Sequence, residues 1–312
     1  VLRLLALIGA HLALLLPLVV AVSALARLEY PVLDLLAHFT LPALAATVVL
    51  TLILALMQLA PAVVSAMAVT GLLVLACWPQ WFPDNRPRTP AGDAVLSIYA
   101  ANLWVHNQDI DKIAASSAHA NADVLILVEF GPTARAQLDQ LFSQYPYRIY
   151  AGRSDHPSRS AIMSRYPLTA IPDHSHPETV AARIDSPLGP INLIGTHLTR
   201  PWPYQPPQRQ VEQALALSER VMGLDGPVIM AGDFNAVSSG RIGRLIKGKT
   251  YLVPAPAWPG TWPKALPSAL GITIDHIWYS PDLYLSSRRT GLHTGSDHRP
   301  VLTHFKRASP RP

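Results

Sequence analysis

The sequence predicts an α+β protein carried behind a helical membrane segment. Three observations lead there. Apolar residues make up 50% of the 312 positions, yet they crowd into residues 1–80, where the formal charges are Arg3, Arg27, Glu29 and Asp34. Beyond residue 93 the polar content is ordinary, and short strand-like runs outnumber helical stretches once two helices have passed. That is a mixed pattern, not the regular alternation of a doubly wound sheet. Finally, acidic, amide and imidazole side chains recur at the ends of those runs, so several strands deliver residues to one place.

The apolar blocks come first, at residues 4–26, 41–59 and 62–78. Each is long enough to cross a hydrocarbon layer as a helix, the third at the short end. A cleaved signal peptide is the alternative for the first block, but two more blocks follow it and no small-residue cleavage site is obvious. Gln58 and Pro61 mark a short break, which predicts an antiparallel helical hairpin. Tyr30 and Pro31, then Trp78, Trp81 and Phe82, stand where interfacial aromatics and turn residues belong. Three crossings set the N-terminus and the following domain on opposite faces. A short N-terminus with one arginine, Arg3, is expected inside, so the domain is expected outside the cytoplasm, although Arg86 and Arg88 leave little Lys/Arg asymmetry. The single cysteine, Cys77, excludes an intramolecular disulfide. The net charge of +5 falls entirely on the part after residue 80 and suits an anionic partner, nucleic acid or an acidic lipid surface.

Residues 81–93 are rich in Pro and Arg and read as a linker to a domain at 94–306, with a tail at 307–312. Strands are predicted at 94–100, 123–128, 147–150, 160–163, 180–184, 191–196, 228–231, 273–278 and 301–305. Helices are predicted at 109–119, 132–142 and 208–222, the last with Val211, Ala214, Leu215 and Leu217 on one face. Proline-rich loops lie at 200–208 and 254–267.

The residues that carry chemistry recur at strand ends, Asn102, Glu129, His197, Asp233 and Asn235, and Asp297 with His298, and Asp275 lies within a strand-like segment. One such residue is usually a solvated or satisfied side chain. This many at comparable positions point to an assembled site. Carboxylates with histidine and no cysteine cluster suit a hard cation, Mg²⁺ with Mn²⁺ as its substitute, better than Zn²⁺. Hydrolysis of a phosphate ester is the chemistry such a set performs: a cation and hydrogen-bond donors offset the negative charge of the transition state.

Taken in order, Asn102, Val128-Glu129, Ser164-Arg165-Tyr166-Pro167, Thr196-His197, Gly232-Asp233-Phe234-Asn235, Ile274-Asp275-His276-Ile277 and Ser296-Asp297-His298-Arg299-Pro300 make residues 94–306 resemble the endonuclease/exonuclease/phosphatase superfamily. The whole chain resembles a bacterial branch with membrane helices ahead of the domain. The resemblance implies a four-layer α/β/β/α sandwich with its site at one end of two sheets, and a multi-pass protein of the cell membrane. It also implies roles. Glu129, helped by Asn102, holds the metal, and Asp297 contributes to the same or an adjacent position. Asp233 orients or deprotonates water, and Asn235 and His197 hold phosphate oxygens. His298, paired with Asp275, is an acid/base or a charged donor; whether Asp233 or His298 is the base stays open. The pattern departs at Trp104, where a second Asn or Asp is common and for which Asn107 is a replacement, and at Ser158-Arg159-Ser160-Ala161, where a Gly-Asn pair is common.

A phosphodiester is the expected substrate, with nucleic acid ahead of a lipid head group on the strength of the positive excess and the aromatic loops at Trp202, Tyr204, Trp258 and Trp262. A silent membrane scaffold is the remaining alternative. His174 and His176 read as surface histidines in a proline-rich turn, and His11 and His38 as packed, neutral imidazoles.

Overall fold

The computed structural model describes residues 1–27, 30–83, 88–151, 159–172 and 179–309. Residues Glu29, Arg86, Ser158, His174 and His176 lie outside that set.

The apolar front folds into α1 (Leu2–Leu25), α2 (Pro31–Ala37), α3 (Thr40–Leu56) and α4 (Ala60–Trp81). Helices α1 and α4 are each long and apolar enough to cross a membrane; at 24 and 22 residues they measure roughly 36 and 33 Å. The expected second block is α3, and the short α2 before it was not foreseen. The two are bent by 61° at their break, so the pair counts as a third span only if taken together. Pro31 opens α2 where its missing N–H costs nothing. Small side chains, Ala10, Ala62 and Ala66, bring α1, α3 and α4 close. Leu12, Leu16, Val49, Leu52, Val64 and Met67 point outward, a belt suited to hydrocarbon. The Arg3 guanidinium donates to the Gln58 carbonyl at 3.4 Å. At the other end the Gln80 amide donates to the Thr40 hydroxyl at 3.1 Å. The N-terminus and the globular domain therefore sit at opposite ends of the packed helices.

The domain begins at β1 (Pro90–Asn102), four residues before the expected start, because its first residues pair with the C-terminal strand, Pro90 opposite Ala308. Then follow α5 (Ile110–Ala120), β2 (Val124–Val128), α6 (Pro132–Ala136), α7 (Leu138–Leu141), β3 (Tyr147–Tyr150), β4 (Ala161–Ser164) and β5 (Leu168–Ala170). The helix expected at 132–142 is thus two short helices, broken at Gln137, whose φ of −110° leaves the helical region. Next come β6 (Val180–Ser186), β7 (Gly189–His197), α8 (Pro207–Met222), β8 (Val228–Asp233) and α9 (Arg241–Lys249). The chain ends with β9 (Val253–Pro254), β10 (Asp275–Tyr279), β11 (Leu283–Thr290) and β12 (Val301–Ala308).

Two six-stranded sheets result, ordered β11-β12-β1-β2-β4-β3 and β5-β6-β7-β8-β10-β9. Alternation along the strands sorts the core into layers. Ile98 and Ala100 of β1 face Leu193, Ala231 and Ile277 between the sheets. Tyr99 and Ala101 face outward to Ile113, Leu141 and Phe142. Met230 and Trp278 face Leu217, Val221 and Ile246 of α8 and α9 on the other outer side. This is the four-layer α/β/β/α sandwich. Parallel pairing occurs between β1 and β2 and between β7 and β8. The C-terminal ends of those four strands open at the same edge as the starts of β10 and β12.

Candidate active site

That edge gathers the expected residues. Asn102 ends β1, Glu129 follows β2, His197 ends β7 and Asp233 ends β8. Register fixes the neighbours: His197 lies opposite Asp233, and Asp233 opposite Asp275. Two local features aim the side chains. Glu129 and Asn235 hold left-handed backbone, φ 49° and 48°, a conformation that costs energy for residues other than glycine and concentrates at functional sites. Gly232 has φ 143°, and a Cβ there would stand 1.9 Å from the Thr196 carbonyl oxygen. Only glycine lets β8 run this close to β7 just ahead of Asp233.

The Asn102 amide donates to Glu129 Oε1 at 2.9 Å and to Asp233 Oδ2 at 3.0 Å, while its Oδ1 accepts the Trp104 N–H at 2.9 Å. Oriented so, Asn102 bridges two carboxylates as a donor. The backbone N–H of Val105 donates to Glu129 Oε2 at 3.2 Å. His197 Nε2 stands 3.6 Å from Glu129 Oε1 and 3.7 Å from Asp233 Oδ2. The Asn235 side-chain amide donates to the Leu198 carbonyl at 2.9 Å and lies 3.3 Å from His197 Nε2. His298 Nδ1 is held by both Asp275 oxygens at 3.1 and 2.9 Å, and its Nε2 faces Asp233 at 3.8 Å.

Burial raises the Asp233 carboxyl to about 6, which the His298 and His197 imidazoles offset only in part. At His298 burial opposes the charge, but Asp275 and Asp233 overcome it and lift the imidazole to about 10. The neighbouring carboxylates thus favour the charged form of His298, while burial pushes Asp233 toward its neutral form.

Two sets of donors lie close enough to hold a cation, Glu129 with His197 and Asp233, and Asp233 with Asp275 and His298. The first fits a divalent ion: two carboxylates converge with an imidazole, every ligand atom within 4.8 Å of the others. The second is occupied by its own charge pair. Asp297, expected as a ligand, joins neither set. It is 62% exposed, accepts the Trp262 indole N–H at 3.1 Å, and lies 3.9 Å from His298 Nε2.

Other motif residues are structural. His276 points away from Asp275 by strand alternation, donates to the Ala236 carbonyl at 2.9 Å, and is pushed by burial to about 4. Arg165 donates to Asn121 and Gln144 side chains, and Asn107 braces the Leu103 and Thr294 carbonyls. Asn107 is therefore no replacement at the site. Arg159 donates to the Ala151 carbonyl.

A cavity of about 350 Å³ opens over the carboxylates. Its walls include Tyr204 and Trp262, two of the loop aromatics expected near substrate, and residues that sequence reasoning did not bring here: Arg200 from the proline-rich loop, and Leu35, His38 and Phe39 from the bend between α2 and α3. The expected packed character of His38 holds, since it is 5% exposed. Its position beside the site had no signal in the sequence. A larger recess of about 770 Å³, lined by Arg88, Asp225, Asp282 and Arg307, lies away from these residues.

Known proteins match this architecture. The sequence model of the Endonuclease/Exonuclease/phosphatase family matches residues 100–298. No protein with a curated description matches. Among solved structures, an endonuclease/exonuclease/phosphatase from Bacteroides vulgatus superposes with a TM-score of 0.58 at 15% identity, over 69% of this chain and 100% of that one. D. rerio TDP2 complexed with a single-strand DNA product gives 0.55 at 16%, over 69% and 100%. A beta toxin from Staphylococcus aureus gives 0.51 at 17%, over 67% and 99%. These likenesses are of fold.

Proposed function

The chain belongs to the endonuclease/exonuclease/phosphatase family, and on that premise we propose that it hydrolyses a phosphodiester by attack of water at phosphorus. Membership makes it a metal-dependent hydrolase of phosphoric esters. The observation that carries the finer reading is geometric: Asp275 holds His298 Nδ1 at 2.9 Å, and the free Nε2 faces the Asp233 carboxyl at 3.8 Å across one cavity. Groups whose environments push their proton affinities apart divide the acid and base work.

Asp233 takes the proton of the attacking water. The water oxygen forms a bond to phosphorus, one P–O ester bond breaks, and the departing oxygen receives the Nε2 proton of His298. Asp275 holds that imidazole by Nδ1 and favours its charged form. Asn235 and His197 steady phosphate oxygens from the β7–β8 side. Glu129 and Asp233, bridged by Asn102, would hold the cation, with His197 beside them. When bound, a divalent ion such as Mg²⁺ neutralises phosphate charge and polarises the bond under attack. Asp297 helps from the exposed rim, through Trp262.

Residues 1–80 serve as a membrane anchor and 94–306 as the catalytic domain, held outside the cytoplasm. For the substrate, the net charge of +5 supports nucleic acid. The apolar wall that Leu35 and Phe39 give the cavity supports a lipid head group, and we favour the lipid because that wall belongs to the site itself. A turnover panel on the purified full chain with Mg²⁺ tests the choice: phospholipids in mixed micelles, single- and double-stranded DNA, and RNA. Cleavage of nucleic acid with lipids left intact reverses it.

A further inference from the structure

The positive excess of the chain is not spread evenly. Residues 234–274 hold Arg241, Arg244, Lys247, Lys249 and Lys264 and no Asp or Glu, so this one stretch matches the whole net charge of +5. It contains α9 and the proline-rich loop that follows. A spacing of three sets Arg241, Arg244 and Lys247 along one side of α9. Lys247 and Lys249, in its last turn, are exposed. The Lys247 ammonium donates to the Pro83 carbonyl at 3.2 Å, a neutral partner that cancels none of its charge.

The same stretch is fastened to the apolar helices. Asp34 Oδ1, from the first turn of α2, accepts the Arg241 N–H at 2.8 Å. The Gln80 carbonyl, in the last turn of α4, accepts the Ala257 N–H at 2.7 Å. The turn at Ser268–Leu270 packs against α3. Contacts with three helices set the height of this face above the membrane. Trp78 and Phe82, at the end of α4, and Tyr30, before α2, are more than half exposed, as aromatics at a bilayer surface are. Trp258 follows Ala257 directly and is also more than half exposed, and Leu266 and Leu270 are exposed on the loop beyond it. Cationic and amphipathic side chains thus meet at the level of the lipid head groups.

We propose that α9 and the loop from Pro254 to Leu270 form a membrane-contact face for an anionic bilayer surface: Lys247 and Lys249 meet lipid phosphates, and Trp258 sits among the head groups. The lipids bound here are not substrate. They hold the domain down on the bilayer beside its own anchor. Trp262 and Ile272, which belong to the same stretch, line the catalytic cavity, so this contact also fixes how the cavity is presented to the membrane surface.

The test uses the full chain reconstituted in lipid vesicles, with a fluorophore on Gly248→Cys and a nitroxide quencher on the lipid head group. A Cβ at Gly248 meets no heavy atom within 4 Å, and the native Cys77 is buried, so the label is tolerated and site-specific. Quenching should be at least about twofold stronger with a third or so of phosphatidylglycerol than in phosphatidylcholine alone, and should weaken as salt rises from about 0.05 to 0.5 M. Lys247→Glu with Lys249→Glu should remove the dependence on lipid charge, while Lys247→Arg with Lys249→Arg should keep it. Trp258→Ser should lower quenching in both lipids. A label on Ala118→Cys, an exposed position of α5 across the sandwich, should be little quenched throughout. A Gly248 label quenched no more than the Ala118 label, or a lipid-charge dependence that survives the double charge reversal, would overturn the proposal. Release of the quenching by a short DNA duplex would assign the face to nucleic acid and overturn it equally. None of these readouts needs turnover, so failure here leaves the phosphodiesterase reading untouched.

Discussion

Replacing Asp275 by asparagine removes one negative charge and little else. The amide oxygen still accepts from His298 Nδ1, so the ring keeps its orientation and tautomer. Nδ1 lies 2.9 and 3.1 Å from the two carboxylate oxygens. At ~3 Å and an effective dielectric constant of about 20, the Coulomb attraction is ~5 kcal/mol. Desolvation of the pair consumes part of it, and hydrogen bonds to charged groups contribute about 1.5–3 kcal/mol net. A loss of ~2.5 kcal/mol corresponds to about two pH units. The sign follows from the direction of the shift. Asp275 and Asp233 raise the imidazole to about 10, so the catalytic cation persists until pH climbs through that value. Without the Asp275 charge, and with Asp233 still 3.8 Å away, the cation should be lost near pH 8. The assay is kcat/KM against pH, from 6 to 10, on a soluble diester. Wild type should stay active into the high end, and Asp275→Asn should fall above about pH 8 while retaining most activity at pH 6.5. An alkaline limb that does not move, or an equal loss at every pH, would refute the role given to the pair.

Glu129→Ala should raise the Mg²⁺ concentration for half-maximal activity by at least about tenfold, read by metal titration, since even outer partners of metal ligands cost that much. Gly232→Ala should lower stability by about 3 kcal/mol or more, seen as a loss of several degrees in Tm or of folded protein, because its Cβ would collide with the Thr196 carbonyl at 1.9 Å. With the N-terminus and the domain at opposite ends of the apolar helices, alkaline phosphatase fused after Pro312 should be active and a cytoplasm-dependent fluorescent reporter dark; the reverse pattern would mean a different number of crossings or an inverted N-terminus.

Strand ends were legible because buried strands advertise themselves. Val124–Val128 and Val228–Asp233 are runs without solvent-facing positions, so the polar residue that stops each run falls at the sheet edge. Order along the chain then made Asn102, Glu129, His197, Asp233, Asp275 and His298 one set, and the register delivered them together. What could not be read was anything set by distant contact. The exposed strand Leu283–Thr290 exists because β12 pairs with it, not because its sequence alternates strongly. Asn107 and Asn102 are both buried asparagines, and only their partners separate a loop brace from a carboxylate bridge. His38 carried no signal at all: in sequence it is a histidine beside an apolar block, and only the bend of α2 against α9 brings it to the cavity.

The most direct measurement is turnover of a soluble chromogenic phosphodiester by the purified full chain, in matched samples with Mg²⁺, with excess EDTA, and with Asp233→Asn in Mg²⁺. Hydrolysis should require the cation and return when Mg²⁺ is restored, and Asp233→Asn should lower kcat by about 10² or more with its Tm little changed. Full activity in EDTA, or wild-type kcat in Asp233→Asn, would contradict metal-dependent attack of water at this site.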